Sequence, residues 1–166
     1  MNTLFLGYGN PDRQDDGVAW HVLRGLTLEL GLTPPETWED EFPSAPGLAF
    51  RFELQLTPEM AEDIRAFERV CFVDAHTGRI PAEVQFTPLE PGFQTSPFTH
   101  HLTPEMLLNM CQSLYGAAPE GVLLSIRGYH FGFETTLSEQ TARLLPEAIK
   151  RANGWAGKQD PISQRR

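Results

Sequence analysis

The chain has 166 residues and a formal net charge of −9, and none of its basic runs exceeds two residues. This length suits one domain with a full core rather than two ordinary domains. The acidic balance argues against a nucleic-acid partner, and the sequence has neither signal-peptide features nor the roughly 20 apolar residues of a membrane span.

The first half of the chain alternates short apolar runs with helical periodicity. Residues 2–7 predict a strand, and a turn of glycine, asparagine and proline connects it to an amphipathic helix over 16–30. Residues 33–48 are rich in proline and acidic residues, so their assignment stays open, with a short strand as one option. The alternation over 50–56 predicts a half-exposed strand, and a Thr-Pro-Glu start predicts a helix over 57–67.

The second half continues this alternation. Residues 70–73 are continuously apolar, as in a strand covered on both faces of a parallel sheet. Residues 84–86 predict an edge strand, and a second Thr-Pro-Glu start predicts a helix over 103–115. A buried strand over 122–126 and a last helix over 137–152 complete the predicted elements.

Strands that alternate with helices predict a single α/β domain over residues 1–154. We expect three layers, with a twisted, mostly parallel sheet of about five strands between helices. Residues 155–166 are polar and are expected to form a flexible tail. Cys71 and Cys111 lie in separate apolar segments, which predicts buried reduced thiols and agrees with a cytoplasmic location.

Polar side chains collect at the ends of the predicted central strands. Asp15 and Asp16 follow the first strand, Asp74 closes the apolar run that ends at residue 73, and His100 and His101 precede a helix. In a mainly parallel sheet the first two sites share the carboxyl edge, and the histidines lie on a connection long enough to reach it. Two carboxylates and one imidazole form an open coordination shell that suits zinc, nickel or manganese better than calcium.

The carboxylates also have structural interpretations. One of Asp15 and Asp16 is expected to cap the following helix and to complement its dipole. Asp74 could form a turn at the end of its strand. A carboxylate that closes a buried strand is costly without a partner, however, which favours a functional role for Asp74.

Further polar residues near this edge are secondary candidates. His76 and His130 are near enough to be kept as alternative ligands, whereas His21 lies off the apolar stripe of its helix and is expected to be solvated. One of His100 and His101 is expected to be a surface or capping residue. Arg127 is either an ion-pair partner of the acidic residues or a surface charge.

Several familiar catalytic motifs are missing from the sequence. It contains no Gly-x-Ser-x-Gly elbow, no His-Glu-x-x-His helix and no P-loop. The Gly-Tyr-Gly-Asn turn lacks the third glycine of the dinucleotide fingerprint, and Asp15 and Asp16 would repel a pyrophosphate there. The buried positions of both cysteines argue against a cysteine nucleophile.

Three motifs in order resemble the hydrogenase maturation proteases over roughly residues 3–150: GYGNPDRQDDG at 7–17, VDA at 73–75 and HHL at 100–102. The resemblance implies the same mostly parallel sheet. It also implies a cytoplasmic endopeptidase that removes the C-terminal extension from the precursor of a [NiFe]-hydrogenase large subunit.

By position, the resemblance assigns both catalysis and metal contact to Asp16, Asp74 and His100. The implied metal is nickel already inserted in the substrate, for which zinc or another divalent ion could substitute. Whether the metal instead belongs to the enzyme, and which group attacks the peptide bond, stay open. We expect a monomer.

The chain departs from that family in the turn after the first strand. Residues 11–14 read PDRQ, where members often carry an apolar residue and a glycine, and Asp12 adds a carboxylate. His101 doubles the histidine of the last motif, so the assignment can shift by one residue. Two alternatives therefore remain: a non-catalytic metal-binding checkpoint or accessory protein on the same fold, and a metallohydrolase that acts on small amides.

Overall fold

Five strands form one sheet in the computed structural model, which describes residues 2–92 and 101–157. The strands are β1 Thr3–Tyr8, β2 Leu48–Glu53, β3 Arg69–His76, β4 Val84–Leu89 and β5 Glu120–Arg127. Their order is β2-β1-β3-β5-β4, and β4 lies at an edge, antiparallel to β5, while the other neighbours are parallel. The predicted mostly parallel sheet of about five strands, with an edge strand near residue 84, is confirmed.

Helices cover both faces of this sheet, which confirms the three-layer arrangement. The helical segments are the 3₁₀ segment Pro11–Gly17, α1 Val18–Glu29, α2 Met60–Ile64, α3 Pro104–Tyr115, α4 Glu139–Ala142 and α5 Leu145–Ala156. α1 and α5 share a core with one face of the sheet, whereas α2 and α3 share a core with the other. Successive residues of β1 point to opposite faces, so Phe5 enters the first core and Leu4 and Leu6 enter the second.

The helix predicted over 103–115 is confirmed, and its local chemistry explains both ends. The Thr103 hydroxyl accepts a hydrogen bond from the Met106 amide at 3.2 Å, and Pro104 occupies the first turn, where it sacrifices no helical hydrogen bond. Gly116 ends the helix with φ +78°, a left-handed conformation that glycine adopts without a Cβ clash. The same Thr-Pro-Glu start at 57–59 gives only the five-residue α2.

Several predicted boundaries differ from the structure. The strand predicted from residue 50 begins at Leu48, and residues 33–47 contain turns and one isolated bridge at Ala45 rather than a strand. β3 continues to His76, so Asp74 lies within the strand instead of closing it. The last helix is divided into α4 and α5.

The predicted domain ends at residue 154, but the ordered structure continues beyond it. The Trp155 side chain is only 8% exposed, because its ring packs against Phe5 and Phe86 and under the Arg69 guanidinium, 3.8 Å from the ring centre. Arg69 also donates to the Trp155 carbonyl at 2.9 Å. The ordered domain therefore includes α5 to Ala156, and the rest of the predicted tail, from residue 158, lies outside the described residues.

Cys71 and Cys111 are buried free thiols, as predicted. Among the described helices, none combines the length and apolarity that a membrane crossing requires.

Replacement of Trp155 by alanine tests its place in the core. We expect Trp155→Ala to lower the free energy of unfolding by about 3–4 kcal/mol, because it leaves a cavity between α5 and the sheet. Urea unfolding measures the change. Leu114→Ala, at a side chain that is 63% exposed, is the control and should change stability by less than about 0.5 kcal/mol. An equally small effect at Trp155 would show that the helix end does not contribute to the core.

Candidate functional site

The candidate site lies where the chain direction across the sheet reverses. The connection that leaves β1 leads to β2 on one side of the sheet, and the connection that leaves β3 leads to β4 and β5 on the other. The connections of these two neighbouring parallel strands therefore diverge at their carboxyl ends. Open α/β sheets bind ligands in the crevice at such a switch point. The 3₁₀ segment follows β1 directly, and Asp74 lies near the end of β3, so two of the predicted acidic sites share this edge.

A tight turn brings Asp16 back over the end of β1. Gly9 has φ +136°, and a Cβ there would lie 2.1 Å from the Asp16 carbonyl oxygen, so only glycine fits. The next amide, that of Asn10, donates to the Asp16 carboxylate at 2.8 Å. The Asn10 side chain accepts from the Asp12 amide at 3.0 Å. Asp16 is thereby held at the turn and keeps a partly exposed carboxylate.

Asp15 points away from this crevice and is completely buried. Its carboxylate accepts hydrogen bonds from the amides of Tyr129, His130 and Ser138, each at 2.8 Å, and from the hydroxyls of Ser138 at 2.6 Å and Thr141 at 2.8 Å. Burial alone raises the pKa of this carboxyl group, but the donors outweigh it and hold the pKa below its usual value. Through these hydrogen bonds Asp15 connects the segment after β5 to the turn after β1.

The two adjacent carboxylates thus have different tasks, and neither caps α1. The residue at the start of α1 is Gly17, which provides no side-chain hydrogen bond. The expectation that Asp15 or Asp16 caps this helix is therefore wrong, although a structural role for one of the pair is correct. Asp15 takes that role, since its partners lie in residues 129–141 instead of in the helix that follows it.

Asp74 has the opposite electrostatic environment. Burial raises the pKa of its carboxyl group to about 7, and the charge of Asp16 contributes to the increase. The Ala75 amide, which donates to Asp74 at 2.8 Å, and the Tyr8 hydroxyl partly oppose this increase. Asp16 and Asp74 therefore interact electrostatically across the ends of β1 and β3, as their sequence positions predict.

Tyr8 belongs to this site and was not among the predicted residues. It is the last residue of β1, and burial followed by the charge of Asp74 raises the pKa of its hydroxyl well above the usual value. The charge of Glu105 adds to the same increase. The only signal in the sequence is its place between the two glycines of the first turn, which specifies no side-chain contact.

The third predicted ligand cannot be placed with the two carboxylates. His100 lies outside the described residues, and its neighbour His101 is exposed. Within residues 2–92 and 101–157, no three histidine, cysteine or acidic side chains are grouped so that they could hold a metal ion. The predicted metal site of Asp16, Asp74 and His100 stays a prediction.

The secondary histidines differ in their surroundings. His76 is buried, and its ring nitrogens bond the Ala82 carbonyl at 3.0 Å and the Gly78 amide at 3.2 Å, which fixes the turn after β3. His130 is exposed and contacts Asp15 through its backbone. His21 is partly buried rather than solvated, and burial and Arg24 lower its pKa.

Arg127 does not pair with the acidic site in the described part of the chain. Its guanidinium lies 4.8 Å from the ring centre of Tyr129 and packs so closely on Gly78 that a Cβ there would clash with it. The Tyr129 hydroxyl in turn hydrogen-bonds the Glu83 carboxylate. The predicted ion pair with Asp16 or Asp74 is therefore wrong, because Arg127 points towards the turn at Gly78 and Tyr129.

Comparison with known proteins gives a match at the level of structure. No protein-family model and no curated protein sequence matches the chain. The hydrogenase maturating endopeptidase HybD from E. coli is similar, with a TM-score of 0.68 and 14% identity over 93% of this chain and 91% of that one. The [NiFe] hydrogenase maturation protease HycI from Thermococcus kodakarensis KOD1 has a TM-score of 0.62 and 20% identity over 93% and 90%.

A third similar structure is the hydrogenase 2 maturation peptidase from the Thaumarchaeota archaeon SCGC_AB-539-E09, with a TM-score of 0.61 and 18% identity. It is matched over 96% of this chain and 100% of its own length. The chain therefore has the fold of the hydrogenase maturation endopeptidases over nearly its full length. The fold expected from the resemblance in the sequence is confirmed.

The hydrogen bonds of Asp15 lead to a prediction about stability and pH. Asp15→Asn removes the charge and places the NH₂ group of an amide beside groups that themselves donate hydrogen bonds. We therefore expect the free energy of unfolding at pH 7 to fall by about 3 kcal/mol. The folded pKa is below the unfolded value near 3.9, so the contribution of the carboxylate is complete above that value and is lost as the pH falls through the folded pKa.

Urea unfolding of both proteins at pH 7 and at pH 3 measures these effects. The variant should lose less stability than the wild type on acidification, and the exposed replacement Asp40→Asn serves as the control. A variant as stable as the wild type at pH 7 would contradict the role assigned to Asp15.

The raised pKa of Asp74 leads to the opposite prediction. Between about pH 4 and pH 7 the folded chain binds more protons at Asp74 than the unfolded chain does, so stability falls as the pH rises through this window. Asp74→Asn removes that penalty and keeps an oxygen that accepts from Ala75. We expect it to raise the free energy of unfolding at pH 8 by about 2 kcal/mol, with the difference narrowing towards pH 4. Unfolding curves at both pH values provide the check, and a variant destabilised at pH 8 would refute this account of Asp74.

Proposed function

We propose that this chain is an endopeptidase that removes the C-terminal extension from the nickel-loaded precursor of a [NiFe]-hydrogenase large subunit. The fold that it shares with HybD and HycI supports this reaction class. The position of Asp16 and Asp74 at the switch point of the sheet supports a site at that edge. We further propose that the chain acts as a cytoplasmic monomer.

The observation that carries this proposal is the placement of Asp16 and Asp74 at the carboxyl ends of the neighbouring strands β1 and β3, in a fold shared with maturation endopeptidases. Burial and the charge of Asp16 raise the pKa of Asp74, so an ionised pair is unfavourable without a cation. A divalent cation close to both groups would offset the burial and the mutual repulsion. A precursor that carries nickel brings such a cation with it, whereas a metal-free precursor does not.

We assign to Asp16, Asp74 and His100 the contacts with the nickel of the substrate. In this role the three residues place the extension of the precursor against the carboxyl edge of the sheet, and the peptide bond is cleaved only where the metal has been inserted. Both cysteines are buried, and burial raises the pKa of the Cys71 thiol, so neither is suited to attack. We therefore propose water as the nucleophile, with a site carboxylate as its base.

Incubation with a nickel-loaded large-subunit precursor tests this function. The wild type should remove the extension, and Asp16→Asn, Asp74→Asn and His100→Ala should each slow cleavage by about a hundredfold or more, because each lacks one contact with the nickel-bearing substrate. His101→Ala distinguishes the two adjacent histidines, and Asp40→Asn, at an exposed position outside the helices and strands, is the matched control. Mass spectrometry of the intact precursor measures the rates.

Two outcomes would contradict the proposal. A wild type that binds the precursor without shortening it would instead support the non-catalytic checkpoint. Cleavage that persists in Asp16→Asn and Asp74→Asn would place the reaction elsewhere in the molecule.

A further inference from the structure

Two loops that are distant in sequence form one surface beside the acidic site. We call residues 10–14 the first loop and residues 128–136 the second loop. The Gln14 amide donates to the Glu134 carbonyl at 2.8 Å, and the Gln14 side chain accepts from the Gly132 amide at 3.3 Å. The buried Asp15 fixes the base of the second loop at Tyr129 and His130. The second loop therefore has a defined position relative to the first.

Gln14 bears backbone strain at this junction. Its φ of +53° and ψ of −111° belong to a region that glycine usually occupies, and such a conformation costs a non-glycine residue roughly 1–3 kcal/mol. The hydrogen bonds to Glu134 and Gly132 use both the backbone and the side chain of Gln14. A glycine at this position would avoid the strain but could not form the side-chain hydrogen bonds to the second loop.

The surface built on this junction exposes a large aromatic side chain. Phe133 is 87% exposed, and the Arg13 guanidinium lies over its ring, 4.5 Å from the centre. The same guanidinium donates two hydrogen bonds to the Phe131 carbonyl, at 3.2 and 2.8 Å, and these fix its position on the second loop. Phe133 is therefore exposed to solvent, but its contact with Arg13 restricts its motion. A side chain that is already restricted loses less conformational entropy when it binds a partner.

An open cavity of about 550 Å³ adjoins this aromatic ring. It is lined by Asp12, Phe133, Glu134, Thr135 and Thr136, so it combines two carboxylates with one apolar face and two hydroxyls. Asn10 contacts residues of both the cavity and the candidate site. Its side chain accepts a hydrogen bond from the Asp12 backbone amide, and its own backbone amide donates one to the Asp16 carboxylate. Asp12 of the cavity and Asp16 of the candidate site are therefore both hydrogen-bonded to Asn10.

We propose that this surface docks an extended segment of the substrate that carries lysine or arginine next to an apolar side chain. The proposal rests on the proposed function and names the part of the precursor that the chain recognises. The carboxylates of Asp12 and Glu134, together with a net charge of −9, attract a basic segment. Phe133 provides the apolar anchor, since aromatic side chains and arginine are enriched in interfaces.

A second pair of the same kind supplies a matched control. The Arg65 guanidinium lies 4.2 Å from the ring centre of Tyr115, whose side chain is 39% exposed, at the end of α3. This pair has the chemistry of Arg13 and Phe133 but is separated from the cavity. Loss of Tyr115 should leave docking unchanged if the cavity, rather than any exposed ring, provides the recognition.

Titration of the full-length, isotope-labelled chain with a short peptide tests docking without reference to cleavage. The probe is acetyl-Lys-Leu-Lys-Leu-Lys-amide, and acetyl-Glu-Leu-Glu-Leu-Glu-amide is its charge-reversed control. We expect the basic peptide to shift the amide resonances of residues 12–14 and 131–136, less strongly at high salt. Phe133→Ser should weaken binding about tenfold, whereas Tyr115→Ser should not.

Kinetics with the nickel-loaded precursor tests the same surface during the reaction. Phe133→Ser should raise KM about tenfold and leave kcat within about twofold, because the ring contributes to binding of both substrate and transition state. Glu134→Gln should raise KM less, and Tyr115→Ser should match the wild type. Urea unfolding of each variant shows that a changed KM does not reflect a loss of folded protein.

The two proposals fail in different ways. A wild type that leaves the precursor uncut while the basic peptide still shifts residues 131–136 overturns the proposed function and supports the docking surface. A wild type that cuts the precursor, with Phe133→Ser unchanged in KM and with peptide shifts elsewhere, overturns the docking surface and supports the function.

Discussion

The buried Asp15 carboxylate connects the two parts of the chain that form the candidate site. Its five hydrogen bonds reach residues that follow it by 114 to 126 positions. A buried charge is tolerated only when it is satisfied in this way. The segment between β5 and α4, which carries Phe133 and Glu134, is therefore held beside the turn that carries Asp16.

The carboxylates of Asp15 and Asp74 have opposite electrostatic environments. Donors surround Asp15 and lower its pKa, whereas burial and a neighbouring charge raise the pKa of Asp74. The first arrangement stabilises the fold. The second costs stability, and the cost is explained if the site gains a cation from its substrate. The carboxylate with five donors therefore supports the fold, whereas the carboxylate with the raised pKa lies at the switch point.

The sequence predicts the sheet well because its signals are local. An apolar run, a Thr-Pro-Glu start or a glycine turn is complete within a few residues, and these signals gave the strands, α3 and the positions of Asp16 and Asp74. The task of Asp15 could not be predicted, since its partners are more than 110 residues away. The sequence predicts Trp155 in the tail because its contacts with Phe5 and Arg69 are also distant along the chain. The charge on Arg127 suggested an ion pair, but its direction depends on packing against Gly78.

We propose that the acidic edge of the sheet recognises a cation carried by the substrate. The decisive experiment is intact-mass measurement of a large-subunit precursor, incubated with the wild-type chain in nickel-loaded and in metal-free form. We expect the nickel-loaded precursor to lose its C-terminal extension and the metal-free precursor to keep its full mass. Equal cleavage of both forms would contradict it, because Asp16 and Asp74 would then have no cation to recognise.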